Sequence, residues 1–325
     1  MSRVKGSRFL ATEPVDSLYR WFADETAATS PTWERLCRWV AATPEVNAQL
    51  GALPGEARQP NRFLAAVRYL GGPTEPGPVF VEWFEQSWPR LEEVVLSRTT
   101  QTNEPGRTAV TAQVLASLPQ PVALLELGAS AGLCLLPDRY AAARLTFPCR
   151  VGDRSPGDPA DLVVAGRLGV DRNPLDVTDP DTRRWLRALV WPGEEDREAR
   201  LAAALEVAAE DPPEVRSADL TQDPHEVIGE LVGELRHTWP GATPVILHSA
   251  FLAYLDREAR EAVVEAIRAS GARWVSFEGA KVVPGVADRL DRLGESPGPT
   301  TFVVALDGEP LGWAQAHGRW VRWAA

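Results

Sequence analysis

The chain has 325 residues, with 34 Lys and Arg against 45 Asp and Glu, which gives a formal net charge of −11. A chain this acidic argues against sequence-independent binding of nucleic acid and favours a small-molecule or carrier-bound substrate. The length allows one large domain or two smaller ones with a substantial core.

The three cysteines include no C-x-x-C pair, which argues against a zinc cage and a disulfide framework, so we expect a reducing, cytoplasmic environment. No apolar stretch reaches the length of a signal-peptide core or a membrane span, so the sequence predicts a protein that is neither exported nor membrane-bound. The histidines lack ligand spacing, and we predict no metal.

Residues 1–120 are predicted to form a helical N-terminal subdomain, because LYRWF, WERLCRWV and RFLAAVRYL carry apolar residues at helical spacing. Glycine and proline separate these stretches. Several helix starts are marked by a capping residue followed by proline, namely Ser30-Pro31, Asp179-Pro180 and Asp223-Pro224.

From Val122 onward apolar strands alternate with helices, which predicts a second domain over residues 121–325 with a doubly wound, mostly parallel sheet. The strand candidates are VALLELG, DLVVAGRLGVD, EVRSADL, TPVILHS and ARWVSFE. The tail contains two β-rich runs joined at Asp307-Gly308, so we expect the sheet to end in an antiparallel hairpin. The predicted fold class is therefore α/β and Rossmann-like.

The stretch VALLELGASAGLCLLPD, residues 122–138, predicts a buried strand, a tight turn through Gly128, Ser130 and Gly132, and a helix opened by the apolar residues 133–136. Leu133 stands where a dinucleotide fingerprint needs its third glycine. The form E-L-G-x-x-x-G, which begins at Glu126, instead resembles motif I of class I S-adenosylmethionine (SAM) methyltransferases, and this resemblance implies SAM as the cofactor. A strand-to-helix turn without a ligand is the alternative.

Two aspartates follow later strands, and ligands of such sheets bind beyond the carboxyl ends of the strands. Asp171 offers two oxygens to the hydroxyls of a ribose, and Asp219 offers an acceptor to the adenine amino group. For each, the alternative is a polar loop aspartate.

His248 ends the most apolar strand and Glu278 ends the next, so either is a candidate catalytic base. For His248 the alternative is a core histidine with satisfied hydrogen bonds. Tyr254, which follows shortly after, is a candidate for substrate binding.

The segment TTQTNEPGR, residues 99–107, places unusually many polar side chains directly before a predicted helix. Gln101, Asn103, Glu104 and Arg107 are predicted to bind substrate over the cofactor site, and the planar fork of Arg107 suits a carboxylate or a sulfate. A capping cluster for the helix that starts near Thr108 is the alternative.

Four separated motifs together resemble DUF2332, a family of actinobacterial domains of unknown function, over essentially the whole chain: QTNEPGR, LLELGASAGL with DRY, RLGVDRNPLDVTDPDTRRWLRALVWP and AHGRWVRW. Frequent Arg, Ala and Pro with only two lysines fit the GC-rich genome of an actinobacterium. The resemblance implies a methyltransferase-like Rossmann sheet behind a helical region, with motif I carried by Glu126, Gly128, Ser130 and Gly132.

Three functions stay open. In the first, SAM donates its methyl group to an oxygen or nitrogen nucleophile, and His248 or Glu278 is the base. In the second, the fold no longer uses SAM and serves as a binding or assembly protein. In the third, implied by relatives in natural-product pathways, the protein promotes an intramolecular amine displacement that closes an aziridine, together with a small partner protein.

Overall fold

A computed structural model describes residues 12–152, 154–298 and 300–324 of the chain. The described helices are α1 (Val15–Thr26), α2 (Pro31–Ala42), α3 (Pro44–Ala52), α4 (Pro60–Tyr69), α5 (Pro78–Ser97), α6 (Thr108–Ala116), α7 (Pro137–Ala142), α8 (Pro180–Ala188), α9 (Glu195–Glu210), α10 (Pro224–Thr238) and α11 (Arg257–Ala269). The described strands are β1 (Val122–Leu127), β2 (Arg150–Val151), β3 (Val164–Asp171), β4 (Val215–Ser217), β5 (Thr243–Ser249), β6 (Arg273–Gly279), β7 (Thr301–Leu306), β8 (Glu309–Gln315) and β9 (Trp320–Trp323).

The chain divides into two compact units. Of the described residues, the first holds 12–102 and 179–202, and the second holds 103–152, 154–178, 203–298 and 300–324. These units differ from the predicted division at residue 120, because residues 103–120 group with the sheet and the segment 179–202 groups with the N-terminal helices.

The first unit is helical, and its helices begin where capping residues satisfy the first free N–H groups. Ser30 accepts from the Trp33 N–H ahead of α2, and Asp179 accepts from two backbone N–H groups ahead of α8. Aromatic rings fill its centre, with Phe63 at a centroid distance of 6.1 Å from both Tyr19 and Phe84. The predicted helix starts at Pro31 and Pro180 are confirmed.

The second unit contains one nine-stranded sheet in the order β2-β9-β8-β7-β6-β5-β1-β3-β4. Strands β4, β3, β1, β5 and β6 pair with one another in parallel, and β2 is parallel to β9. Strands β6 to β9 pair antiparallel in succession. The fold is therefore mixed α/β with a mostly parallel sheet, as the alternating pattern predicts.

Each face of the central strands is covered by helices, and side chains alternate between the faces. On one face Ala123, Leu125 and Leu127 pack in a core that includes α10 and α11. On the other face Val122 and Leu124 pack against α6. Glu126 occupies the next position on this second face.

The antiparallel part of the sheet is longer than predicted. Strands β7 and β8 are joined by the two-residue turn Asp307–Gly308, in which both residues have positive φ, as that kind of hairpin requires. The sheet does not end there, because β9 and β2 extend it further. The short β2 carries too little apolar pattern for a sequence-based prediction.

The prediction that a helix begins at Leu133 is wrong. A short 3-10 turn covers Leu133–Leu135, and α7 begins only at Pro137. Proline has no N–H and disfavours helical geometry in the residue before it, so it takes the first helical position and moves the helix start to itself.

None of the helices within the described ranges combines the length and the apolarity needed to cross a membrane.

Candidate functional site

The β1 loop, residues 128–132, connects the end of β1 to the short turn before α7. Gly128, Ser130 and Gly132 all have left-handed backbone angles, with φ of +69°, +53° and +70°. All five N–H groups of the loop donate within the protein, to Val170 O (twice), Asp171 Oδ2, Asn103 Oδ1 and Ala129 O. The loop is therefore held by the protein's own acceptors.

Asn103, from the QTNEPGR motif, clamps the β1 loop with both ends of its amide. Its Nδ2 donates to Ser130 Oγ at 2.9 Å, and its Oδ1 accepts from the Ala131 N–H at 3.0 Å. Asn103 is buried. The structure thus brings this predicted residue to the predicted turn, where it fixes the loop's backbone.

Asp171, at the end of β3, also contacts the β1 loop. Its Oδ2 accepts from the Ser130 N–H at 2.9 Å and its Oδ1 from the Asn173 N–H at 2.8 Å. Partial burial raises the pKa of Asp171, against the opposing effect of these hydrogen bonds. Each carboxylate oxygen still has capacity for a second hydrogen bond.

Asp219 holds its own turn. Its Oδ1 accepts from the Thr221 N–H at 3.0 Å and from Thr221 Oγ1 at 2.7 Å, and these bonds lower its pKa. This is the arrangement of a loop aspartate that stabilises a turn.

Side chains of the protein cover both glycines of the β1 loop. A Cβ on Gly128 would lie 2.4 Å from Phe251 Cδ2, and one on Gly132 would lie 2.6 Å from Pro213 Cγ. Both distances are far below van der Waals contact. The missing side chains therefore leave room for Phe251 and Pro213.

A buried polar cluster lies beside the loop on the α6 face of the sheet; we define it as Glu104, Arg107, Glu126, Cys134 and Ser249, all of which are buried. Arg107 Nη1 donates to Ser249 O at 3.1 Å and to Ser249 Oγ at 3.3 Å. The Cys134 thiol lies 3.6 Å from Glu104 O. Burial raises the pKa of the Cys134 thiol far above its usual range, so the thiol is neutral.

Glu126 is the most unusual member of the polar cluster. Only 4% of its surface is exposed, and its Oε2 has no hydrogen-bond partner among the described residues. Burial raises the pKa of Glu126 to about 8, opposed by the positive charge of Arg107 and reinforced by the negative charge of Asp171. Near neutral pH this carboxyl group is therefore mainly protonated.

The polar cluster is closed by contact between two distant motifs. A Cβ on Gly318, from AHGRW, would lie 2.0 Å from Gly106 O in QTNEPGR, so the two backbones touch. His317 Nδ1 lies 3.2 Å from Glu104 Oε2, and Arg107 Nε donates to Ala316 O at 3.1 Å. The C-terminal motif thus helps to fix two of the predicted substrate-binding residues, Glu104 and Arg107.

His248 and Glu278 meet on the opposite face of the sheet. His248 Nδ1 lies 2.8 Å from Glu278 Oε1, and the Trp274 indole N–H donates to His248 Nε2 at 2.9 Å. Because an indole N–H only donates, Nε2 is the unprotonated nitrogen and Nδ1 carries the hydrogen that it donates to Glu278. Both ring nitrogens are engaged and the ring is fully buried.

Glu278 also holds the backbone that follows β5. Its Oε1 accepts from the Phe251 N–H at 2.8 Å and from the Leu252 N–H at 3.0 Å. The Oε2 atom is buried without a partner in the described part of the chain. This geometry is that of the satisfied core histidine weighed above, with Glu278 as its partner.

Tyr254 and Gln101 are the remaining two predicted residues. Tyr254 lies in a 3-10 turn with 62% of its surface exposed. Gln101 belongs to the first unit, where its Oε1 accepts from Thr99 Oγ1 at 3.0 Å.

Sequence reasoning missed Cys134, Ser249, Phe251 and Trp274 as neighbours of these groups. Ser249 follows His248 directly, and neighbouring side chains of a strand point to opposite faces. The sequence could therefore have predicted that Ser249 lies on the face opposite His248. The contact of Phe251 with Gly128 depends on a loop conformation that no spacing encodes.

A cleft of about 690 Å³ opens elsewhere in the second unit, beside α6 and α7. Its walls include Thr108, Gln113, Tyr140, Phe147 and Cys149, and none of the predicted site residues. Burial raises the pKa of Cys149 to about 11, so its thiol is neutral near pH 7.

Comparison with known families gives one match across nearly the whole chain. A family described as "Uncharacterized protein conserved in bacteria (DUF2332)" matches residues 16–323. A search of curated proteins gave no match.

Proposed function

Since this chain belongs to the DUF2332 family, whose description carries no activity, we propose a function from its own residues: it promotes alkylation of an amine nitrogen, with Glu126 as the proton acceptor. The observation that carries the proposal is the buried Glu126 Oε2, which lacks a hydrogen-bond partner among the described residues. A buried polar atom without a partner costs about 1–3 kcal/mol. An N–H group of a ligand is a chemical match for it.

The proposed step moves one proton and exchanges one bond. The nitrogen lone pair attacks a carbon, the C–N bond forms, the bond from that carbon to its leaving group breaks, and the N–H proton passes to Glu126. A base is most effective when its pKa lies near the working pH, and burial raises the pKa of Glu126 to about 8. Glu126 accepts this proton in its ionised form, which is the minor form near pH 7 and which the positive charge of Arg107 favours.

Two features support a methyltransferase-like enzyme with SAM as the alkyl donor. The strand order β4-β3-β1-β5-β6 is that of a doubly wound sheet, with the β1 loop at the carboxyl end of its first strand. Asp171 lies at the end of the adjacent β3, where a ribose would be expected.

The β1 loop itself fits the methionine end of SAM poorly. Its five N–H groups all donate to protein acceptors, and Phe251 and Pro213 take the space beside Gly128 and Gly132. The proposed step therefore does not use SAM. These contacts favour the intramolecular candidate, in which the leaving group belongs to the substrate and the amine displaces it to close an aziridine.

Thermal shift with small probes tests the proposal. Ethylamine, SAM and S-adenosylhomocysteine are titrated against the wild type, Glu126→Gln and the matched control Glu230→Gln, an exposed helical acid. A ligand at a hundred times its Kd adds about 2.7 kcal/mol of stability. We expect ethylamine to stabilise the wild type and the control, and Glu126→Gln to lose that response.

Equal responses of the wild type and Glu126→Gln to ethylamine would contradict the role of Glu126 and favour a binding or assembly function. Stabilisation by SAM as well would support the SAM-dependent candidate. Stabilisation by the amine alone would support the intramolecular one.

A further inference from the structure

We infer that Phe251 is a specificity residue that excludes an adenosyl donor from the β1 loop, and that the buried chain Trp274–His248–Glu278 positions it. The inference rests on the methyltransferase-like part of the proposed function and is independent of the role of Glu126.

The contact between Phe251 and Gly128 is the first step. Three atoms of the Phe251 side chain, Cδ2, Cγ and Cβ, would lie 2.4, 2.7 and 2.9 Å from a Cβ on Gly128. Glycine therefore serves here to admit an aromatic ring of the same chain. A ligand that needs the bare backbone of Gly128 meets that ring first.

The second step is the rigidity of the turn that carries Phe251. Ala250 has a left-handed φ of +51°, which a residue with a side chain rarely adopts. Three consecutive N–H groups hold the turn to β6: that of Ala250 donates to Phe277 O at 3.0 Å, and those of Phe251 and Leu252 donate to Glu278 Oε1. A strained residue persists when its surroundings fix it in this way.

The third step is the fixing of Glu278 itself. His248 Nδ1 lies 2.8 Å from the same Oε1 atom, and the Trp274 N–H holds the other ring nitrogen of His248. These three side chains are buried, and the chain of bonds runs without a break from β6 through β5 to the turn. Glu278 and His248 are thus positioning residues, and a substrate that carries its own leaving group needs no space at Gly128.

Calorimetric titration with S-adenosylhomocysteine tests the assignment on the full-length chain. The variants are Phe251→Ala, Phe251→Leu and the control Phe302→Ala, a partly buried ring that packs on Phe277 at a centroid distance of 5.4 Å. We expect no measurable binding by the wild type or the control, and for Phe251→Ala a Kd at least tenfold below the weakest Kd that the titration can detect. Binding by the wild type, or a Phe251→Ala variant that binds no better than it, would overturn the inference.

A second set of variants tests the positioning role of Glu278 in the same titration. Glu278→Ala frees the turn and should also gain binding of S-adenosylhomocysteine, whereas Glu278→Gln keeps a carbonyl acceptor and should behave as the wild type. If Glu278→Ala does not fold, as judged by circular dichroism, Trp274→Phe replaces it, with a smaller gain. A folded variant that gains no binding of S-adenosylhomocysteine would contradict the positioning role of Trp274, His248 and Glu278. The response of Glu126 variants to ethylamine is a separate result, so failure of either proposal is recognisable.

Discussion

The raised pKa of Glu126 predicts that the stability of the protein depends on pH even without a ligand. Its pKa is about 8 in the folded protein against an ordinary value of 4.5, so the folded state holds a proton that the unfolded state has released. The stability this gives is fully present below pH 4.5 and is lost as the pH rises through about 8. We expect the melting temperature to fall between pH 5 and pH 9, and to fall less in Glu126→Gln.

Melting curves followed by circular dichroism at several pH values measure this effect. Glu230→Gln should keep the wild-type slope. If Glu126→Gln had the same slope as the wild type, Glu126 would not be the group that holds the proton.

The tautomer of His248 can be read directly. Since Nε2 accepts from the Trp274 indole, ¹⁵N NMR should find the hydrogen on Nδ1. Trp274→Phe leaves that buried acceptor without a donor and should lower the free energy of unfolding by about 1–3 kcal/mol. A hydrogen found on Nε2 in the wild type would contradict the network and reopen a catalytic role for the ring.

At the level of elements, the contact between QTNEPGR and AHGRW explains why residue 318 is a glycine. Gly318 has a φ of +74°, and a Cβ there would lie 2.0 Å from Gly106 O. Gly318→Ala should therefore lower the free energy of unfolding by about 2–5 kcal/mol, from backbone strain and overpacking together. Urea unfolding measures the change.

Gly229→Ala is the matched control for Gly318→Ala. Gly229 lies inside α10, and apart from its chain neighbours and the backbone of the helix itself no atom would lie within 4 Å of a Cβ at this position. Alanine favours a helix over glycine by about 0.5–1 kcal/mol, so this variant should gain stability. A Gly318→Ala variant as stable as the wild type would mean that the two backbones are not in contact.

The elements of the sheet differ in how well sequence predicts them. Strands β1 and β5 are readable because each contains a continuous apolar run, residues 122–125 and 245–247, that is buried on both faces. The prediction of a helix directly after Gly132 fails because the apolar residues Leu133 and Leu135, which suggest a helix, are buried in a 3-10 turn instead. Only Pro137 marks the true start of the helix. The two residues of β2 are exposed and carry no pattern.

For the whole molecule, sequence predicts the class of fold better than the division of the chain. Alternating periods predict a mostly parallel sheet, but the grouping of 179–202 with the N-terminal helices depends on side-chain contacts within the first unit, such as the hydrogen bond from Trp191 to Asn61. The spacing of apolar residues along the chain does not indicate contacts between residues so far apart in sequence.

Sequence also predicts only part of the candidate site. Asn103, Arg107 and Glu126 are predicted from motifs, and the structure brings them together around the β1 loop. His248 faces away from Glu126 because the register pairs Glu126 with Leu247, and this register is not visible in the sequence. The partner that engages its second nitrogen, Trp274, comes from another strand, and pairing between strands decides it.

The outermost strands of the sheet, β2 and β4, have only two and three residues. An open strand edge presents free amide and carbonyl groups on which another molecule can add its own strand, and this is a common route to fibrils. Edges this short offer a docking strand few hydrogen bonds. We therefore expect concentrated solutions of the folded protein to resist edge-to-edge polymerisation.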